Sequence, residues 1–303
     1  MAGLSVCIGA LKLKNPVMVA SGTFGYAGEF KGLCDVKKLG AIVTKTITIN
    51  SRKGNPMPRT CETPSGMINS IGLENPGIEK FLSEKLPAVR KIGVPVIVSI
   101  ASEGDPAEFV ELAKRLDKIP AAAALELNIS CPNLKNKKLI SQDPAMTAAT
   151  VRAVRRVTRK TLITKLSPNV TDIVEIALAA QDAGSDALAL INTVQGMAID
   201  VKTRAPKIAM AAGGLSGPAI RPVAVRMVWE VCKRAGVPVI GMGGIMDTQS
   251  ALEFFIAGAT AISVGTANFI EPSASADIVQ GLRAYLARNK FKDIYELRGS
   301  LRL

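Results

Sequence analysis

The chain has 303 residues, 48% hydrophobic and 21% charged, with a formal net charge of +13 and no histidine. That length and apolar content specify a substantial core and leave no low-complexity or linker tract of the kind that stays disordered. The lack of histidine excludes Ser-His-Asp and Cys-His catalysis, HExxH zinc sites and imidazole proton shuttles, so acid-base work near neutral pH falls to Cys, Lys, Tyr or a carboxylate.

In chain order, the segment 3–14 ("GLSVCIGALKLK") reads as a short hairpin ahead of the first long element, a plug for the lower end of the fold. Eight apolar runs rich in Val and Ile then read as strands, at 17–20, 41–45, 95–100, 123–128, 161–165, 186–191, 237–241 and 261–265. Between and after them, helix-period segments fall at 29–39, 76–91, 105–117, 143–160, 171–183, 218–235, 247–257 and 273–288. Asp105-Pro106, Asp143-Pro144 and Gly217-Pro218 each put a cap residue or Gly before a first-turn Pro. Eight strand-helix units predict an α/β fold, a (β/α)8 TIM barrel formed as a single domain over residues 1–303. Loops 46–75, 129–142 and 192–217 are long and come after strands two, four and six, on the C-terminal face where such barrels carry their chemistry.

Five scattered cysteines with no CxxC pair give no disulfide framework and no iron-sulfur or structural zinc site, so no metal is expected on this chain. The longest uncharged stretch, 254–270, is short and interrupted by polar residues, and the first residues lack the pattern of a signal peptide. No membrane association and a cytoplasmic location are the resulting expectations. The positive charge favours anionic partners, but Arg152, Arg155, Arg156, Arg159 and Lys160 recur at helical spacing as a solvated face. Aromatic residues are 4% and do not interleave with basic ones, so no nucleic-acid partner is expected.

The strand ends carry the candidate chemistry. Gly241-Met242-Gly243-Gly244 ends strand seven and Val264-Gly265-Thr266 ends strand eight, where exposed backbone N–H groups make a phosphate cradle in this fold. Lys45 and Lys165, each after a Thr, end strands two and five and would aim an amine at the mouth to stabilise an anionic ring or carboxylate. Asn69, Asn128, Asn133 and Asn192, with Thr193 beside the last, offer paired donors and acceptors suited to the edge of a heterocycle. Cys131 in "NISCPN" comes just after strand four and precedes a Pro. A thiol with a reference pKa of about 8.5 can act near neutral pH without histidine. The residues alone leave it open between buried filler and chemical group.

These motifs resemble class 1 dihydroorotate dehydrogenases: "ASGTFGYAGEF" (20–30), "TKT" (44–46), "GNPMPR" (54–59), "NSIGLENPG" (69–77), "ELNISCPN" (126–133), "INTVQGMAID" (191–200), "GGLSGPAIRP" (213–222), "GMGGI" (241–245) and "VGTANF" (264–269). "NTVQGMAID" favours the NAD-linked (1B) catalytic subunit over the fumarate-using subgroup. The resemblance implies one FMN per chain, in contact with Ser21, Lys45, Thr46, Asn128, Lys165, Ile191, Gly217, Gly243, Gly244, Gly265 and Thr266. Ser99 stands where many relatives have an Asn near the flavin, and its hydroxyl has a shorter reach. Dihydroorotate would meet Lys45, Asn69, Ser70, Ile71, Gly72, Leu73, Asn128, Asn192 and Thr193, with Asn133 closing over it and Cys131 as the catalytic base. The implied reaction is oxidation of dihydroorotate to orotate in pyrimidine biosynthesis. Electrons would leave through a partner subunit with FAD and a 2Fe-2S cluster that reduces NAD, in a heterotetramer of two catalytic and two electron-transfer chains. The competing readings are a related flavin barrel acting on dihydropyrimidines, a fumarate-using enzyme, a flavin or phosphate binder without turnover, and a basic nucleic-acid-binding barrel.

Overall fold

Eight strands too apolar to face water on either side close on themselves. The computed structural model describes residues 3–130 and 139–302. In it β1 (Val17–Val19), β2 (Ala41–Val43), β3 (Val96–Ile100), β4 (Ala124–Asn128), β5 (Thr161–Lys165), β6 (Ala187–Leu190), β7 (Val239–Met242) and β8 (Ala261–Val264) form a closed parallel barrel in chain order. Each pairs with the next, and β8 pairs with β1. Every residue of all eight strands is buried, as expected of parallel strands with side chains packed inside and helices outside. The architecture is the expected (β/α)8 barrel.

Helices cover the outside, and their starts reflect the local sequence. Asp143 accepts from the Met146 N–H at 3.0 Å to begin Pro144–Arg155, and Asp172 accepts from the Val174 N–H at 2.8 Å to begin Ile173–Asp182. Asp247 and Ser250 form a reciprocal capping box at the start of Thr248–Ala257, which ends on left-handed Gly258. Among the described residues no helix is long and apolar enough to cross a membrane.

Three expectations need correction. Residues 29–39 form no α-helix; two single 3₁₀ turns, Gly28–Phe30 and Val36–Lys38, flank Gly32 at φ +84°, a left-handed conformation that stops a helix between them. The helix expected over 76–91 changes winding at Phe81–Lys85, a π-turn just before Pro87, which has no N–H to continue the α ladder. The helix expected from 218 opens as a 3₁₀ turn, Pro218–Ile220, and becomes α only over Arg221–Cys232.

The hairpin Val6–Ile8 and Leu11–Leu13 sits at the lower end as expected. Its turn residue Gly9 packs so closely on Thr161 and Asp186, at the starts of β5 and β6, that a Cβ there would lie 2.9 Å from the Asp186 Cβ. The opposite end carries a roof that strand-helix periodicity does not reveal. Thr60–Thr63 and Gly66–Asn69, from the long connection after β2, join Ala212–Ser216 and Val194–Met197, from the connection after β6, in one antiparallel sheet. The roof encloses the space above the strand ends.

Helix-to-barrel packing is tight where Phe254 presses on β7: a Cβ on Gly241 would come within 2.5 Å of its ring, and Phe254 is fully buried. Phe254→Ala is expected to cost about 3–5 kcal/mol in urea unfolding while leaving the far-UV spectrum intact.

Candidate functional site

Between the strand ends and the roof lies a cavity of about 720 Å³, within the size range of cofactor sites. The strand ends contribute Ser21, Lys45, Thr46, Asn128, Lys165 and Ile191 from the lower side. Gly243, Gly244, Gly265 and Thr266 contribute from β7 and β8, and Gly217 from the end of the roof. The roof and its connections add Asn69, Ser70, Ile71, Gly72, Leu73, Asn192 and Thr193. Residues scattered from 21 to 266 in sequence thus surround one space. Cys131 and Asn133 lie outside the described residues.

Ser99 is placed differently from the other candidates. It does not line the cavity; it is fully buried, with its hydroxyl 2.9 Å from that of Thr46 and its N–H donating to Thr44 Oγ1 at 3.3 Å. Its role in this structure is to fix Thr46, which does face the cavity.

That contact begins a polar chain across four strand ends. Asn128 Nδ2 donates to Thr46 Oγ1 at 3.4 Å, and Asn192 Nδ2 donates to Asn128 Oδ1 at 3.4 Å and to Ser130 Oγ at 2.9 Å. Thr193 N–H in turn donates to Asn192 Oδ1 at 2.8 Å. Both amides are therefore held in a defined orientation before any ligand arrives, which lowers the entropic cost of using them for recognition.

Lys165 is 5% exposed, and its Nζ donates to Ser21 Oγ at 3.1 Å. β5 and β1 lie on opposite sides of an eight-membered ring, so this side chain reaches across the mouth. No carboxylate among the described residues lies within ion-pair distance of it. A buried ammonium at a cavity floor is suited to an anionic ligand above it.

The cradle at β7 and β8 fits a phosphate. Among the described residues, the N–H groups of Gly243, Gly244, Gly265 and Thr266 donate to no backbone carbonyl. Gly244 has φ +76°, and a Cβ there would lie 2.6 Å from the Arg221 Cβ and 2.9 Å from the Gly217 carbonyl oxygen. Gly217 has φ +94°, and its Cβ would meet the Gly66 Cα at 2.8 Å, so glycine alone lets roof and cradle touch. Free N–H groups on one side, a buried cation below and oriented amides opposite together fit a flat, anionic, phosphate-bearing cofactor with a small heterocycle beside it.

Several further residues at the cavity are not singled out by sequence pattern. Arg59 lines it, and its guanidinium binds the Glu74 carboxylate and the Lys53 carbonyl, tying the 54–59 segment to the one after Asn69. Asn55 Nδ2 donates to the Ser70 carbonyl at 3.0 Å and to its hydroxyl at 2.9 Å. Thr266 Oγ1 donates to Ser216 Oγ at 2.8 Å, linking cradle to roof. The signal for Arg59 and Asn55 is present in "GNPMPR", but which of its polar groups meet the cavity depends on a roof formed by distant segments.

Comparison with known proteins identifies the family. A family model described as dihydroorotate dehydrogenase matches residues 3–286. The chain is similar to a protein of Trichlorobacter lovleyi, 54% identical over 299 residues with 98% of each chain covered. It is also similar to one of Geotalea daltonii, 54% identical over 301 residues with 99% of this chain and 98% of the relative covered. A third relative, from Desulforudis audaxviator, is 54% identical over 297 residues, covering 98% and 96%. All three bear the name dihydroorotate dehydrogenase B (NAD(+)), catalytic subunit.

Gly244→Val should close the cradle. Measured as flavin absorbance per purified chain, it is expected to lower retained flavin on the order of tenfold, whereas full retention would remove the phosphate assignment.

Proposed function

The chain belongs to the dihydroorotate dehydrogenase family, and on that premise we propose that it oxidises (S)-dihydroorotate to orotate in pyrimidine biosynthesis, as the catalytic part of an NAD-linked enzyme. The observation that carries the reading is the convergence, in one cavity, of a phosphate-suited glycine cradle, the buried Lys165 and the linked amides of Asn128 and Asn192. We read residues 1–303 as one flavin-binding domain acting in the cytoplasm, without nucleic-acid or membrane partners.

The cofactor is FMN, one per chain, and when bound it supplies the two-electron acceptor for the hydride leaving C6 of dihydroorotate. Gly217, Gly243, Gly244, Gly265 and Thr266 would hold its phosphate, and Ser21, Thr46 and Ile191 would meet its ring. Lys165 would set a fixed positive charge beside that ring system and favour its anionic form. Lys45 takes the carboxylate of the substrate. Asn69, Asn128, Asn192 and Thr193 pair with the amide edges of the pyrimidine, along the segment from Ser70 to Leu73, and Asn133 closes the site. Cys131 accepts the C5 proton on its thiolate, the role that the resemblance of "ELNISCPN" implies for it.

Electrons then pass to a separate subunit. The relatives are named as catalytic subunits, and this chain has no CxxC pair to hold a cluster of its own. The partner we infer carries FAD and a 2Fe-2S cluster and reduces NAD, in a heterotetramer with two copies of each chain. A purified single chain should be yellow but reduce NAD slowly; rapid NAD reduction by the chain alone would remove the partner from the account.

The base is tested by stopped-flow flavin bleaching. Cys131→Ala is expected to slow bleaching by dihydroorotate by on the order of 10²–10⁴-fold with little change in orotate binding. A rate within a few-fold of the unaltered chain would assign the proton to another group.

A further inference from the structure

Among the described residues, Glu126 and Lys165 are the two charged side chains that are buried, 2% and 5% exposed. They are also neighbours in the barrel. The register sets Asn128 opposite Lys165 and Glu126 opposite Ile163, so Glu126 lies two residues lower on the adjacent strand. Asn128 turns its amide inward to Thr46 and Asn192. Side chains alternate along a strand, so Glu126, two residues earlier, faces the same interior.

No direct ion pair joins the two: the ammonium is turned upward, toward Ser21 and the cavity. Glu126 Oε1 has no hydrogen-bond partner among the described residues. A single buried charge in a dry core is costly, and an opposite charge on the neighbouring strand offsets that cost even without contact, because the interior screens poorly. Glu126, opposite Ser99 on one side and two residues below the level of Lys165 on the other, sits in the core with Lys165 above it at the cavity floor.

We propose that Glu126 is a positioning residue whose buried carboxylate is the counter-charge to Lys165, keeping that ammonium in the barrel and setting the net charge presented to the anion bound above it. The second half rests on the reading of Lys165 as a cation beneath a flavin; the first half does not. Removing the carboxylate leaves Lys165 uncompensated. The fold then loses stability, while an anionic ring above gains a stronger attraction.

The test is a double-mutant cycle in urea unfolding on the purified full chain, with E126Q, K165M and the double variant, joined by a flavin redox titration. Each single change is expected to raise the unfolding constant by on the order of a hundredfold, because it strands one buried charge. The double variant should fall short of the product of the two by on the order of tenfold or more. Multiplicative losses would overturn the couple. If E126Q fails to fold, recovery of folding in the double variant supports it, and failure of both overturns it. In the redox arm, E126Q flavin should have a higher midpoint potential than the parent, since the reduced anion faces an unscreened cation; an unchanged or lower potential overturns the charge-setting role. Absence of flavin from the parent chain would instead overturn the flavin reading, with the unfolding cycle still deciding the couple.

Discussion

Closure of the strand ladder around a dry interior is the constraint on which the rest depends. With every residue of the eight strands buried, a polar side chain there costs free energy unless a partner or a ligand meets it. At the C-terminal ends Thr46, Asn128, Lys165 and Asn192 mark the change from packed core to cavity. The position of the site thus follows from the fold's solvation, and the hairpin closes the core at the other end.

The barrel is legible in the sequence because its signals are local and repeated: apolar runs of strand length, helix-period segments, and Asp caps such as Asp143 and Asp247. The departures have physical causes too. The 29–39 segment carries helix-like spacing, yet Gly32 needs a left-handed backbone, a requirement invisible in periodicity. The roof escapes a local reading because its strands pair across 145 positions, as in the Asn69 to Gly214 contact, and no local window contains both partners. Ser99 stands on a strand that leads to the cavity, but its short side chain stops at Thr46.

The candidate site is legible to a different degree. Glycines, lysines and asparagines at strand ends can be named from the order of elements, and those among the described residues line one cavity, except Gly241, which packs under Phe254 instead. The supports cannot be named in this way. Asn55 holding Ser70, and Arg59 bridging to Glu74, are contacts across the irregular connection after β2, which strand and helix periodicity does not describe. The site is therefore composite: its floor is fixed by the barrel and its walls by a sheet built from the long connections.

The reaction assigned to this cavity is oxidation of a pyrimidine that bears a carboxylate. The most direct measurement is an anaerobic titration of the purified, flavin-loaded chain with dihydroorotate and, separately, with dihydrouracil, monitoring flavin absorbance and orotate formed. Dihydroorotate is expected to bleach the flavin fully with one orotate made per flavin reduced, and dihydrouracil, lacking the carboxylate we propose for Lys45, to leave the flavin oxidised. Bleaching by dihydrouracil as fast as by dihydroorotate, or no bleaching by either, would contradict it.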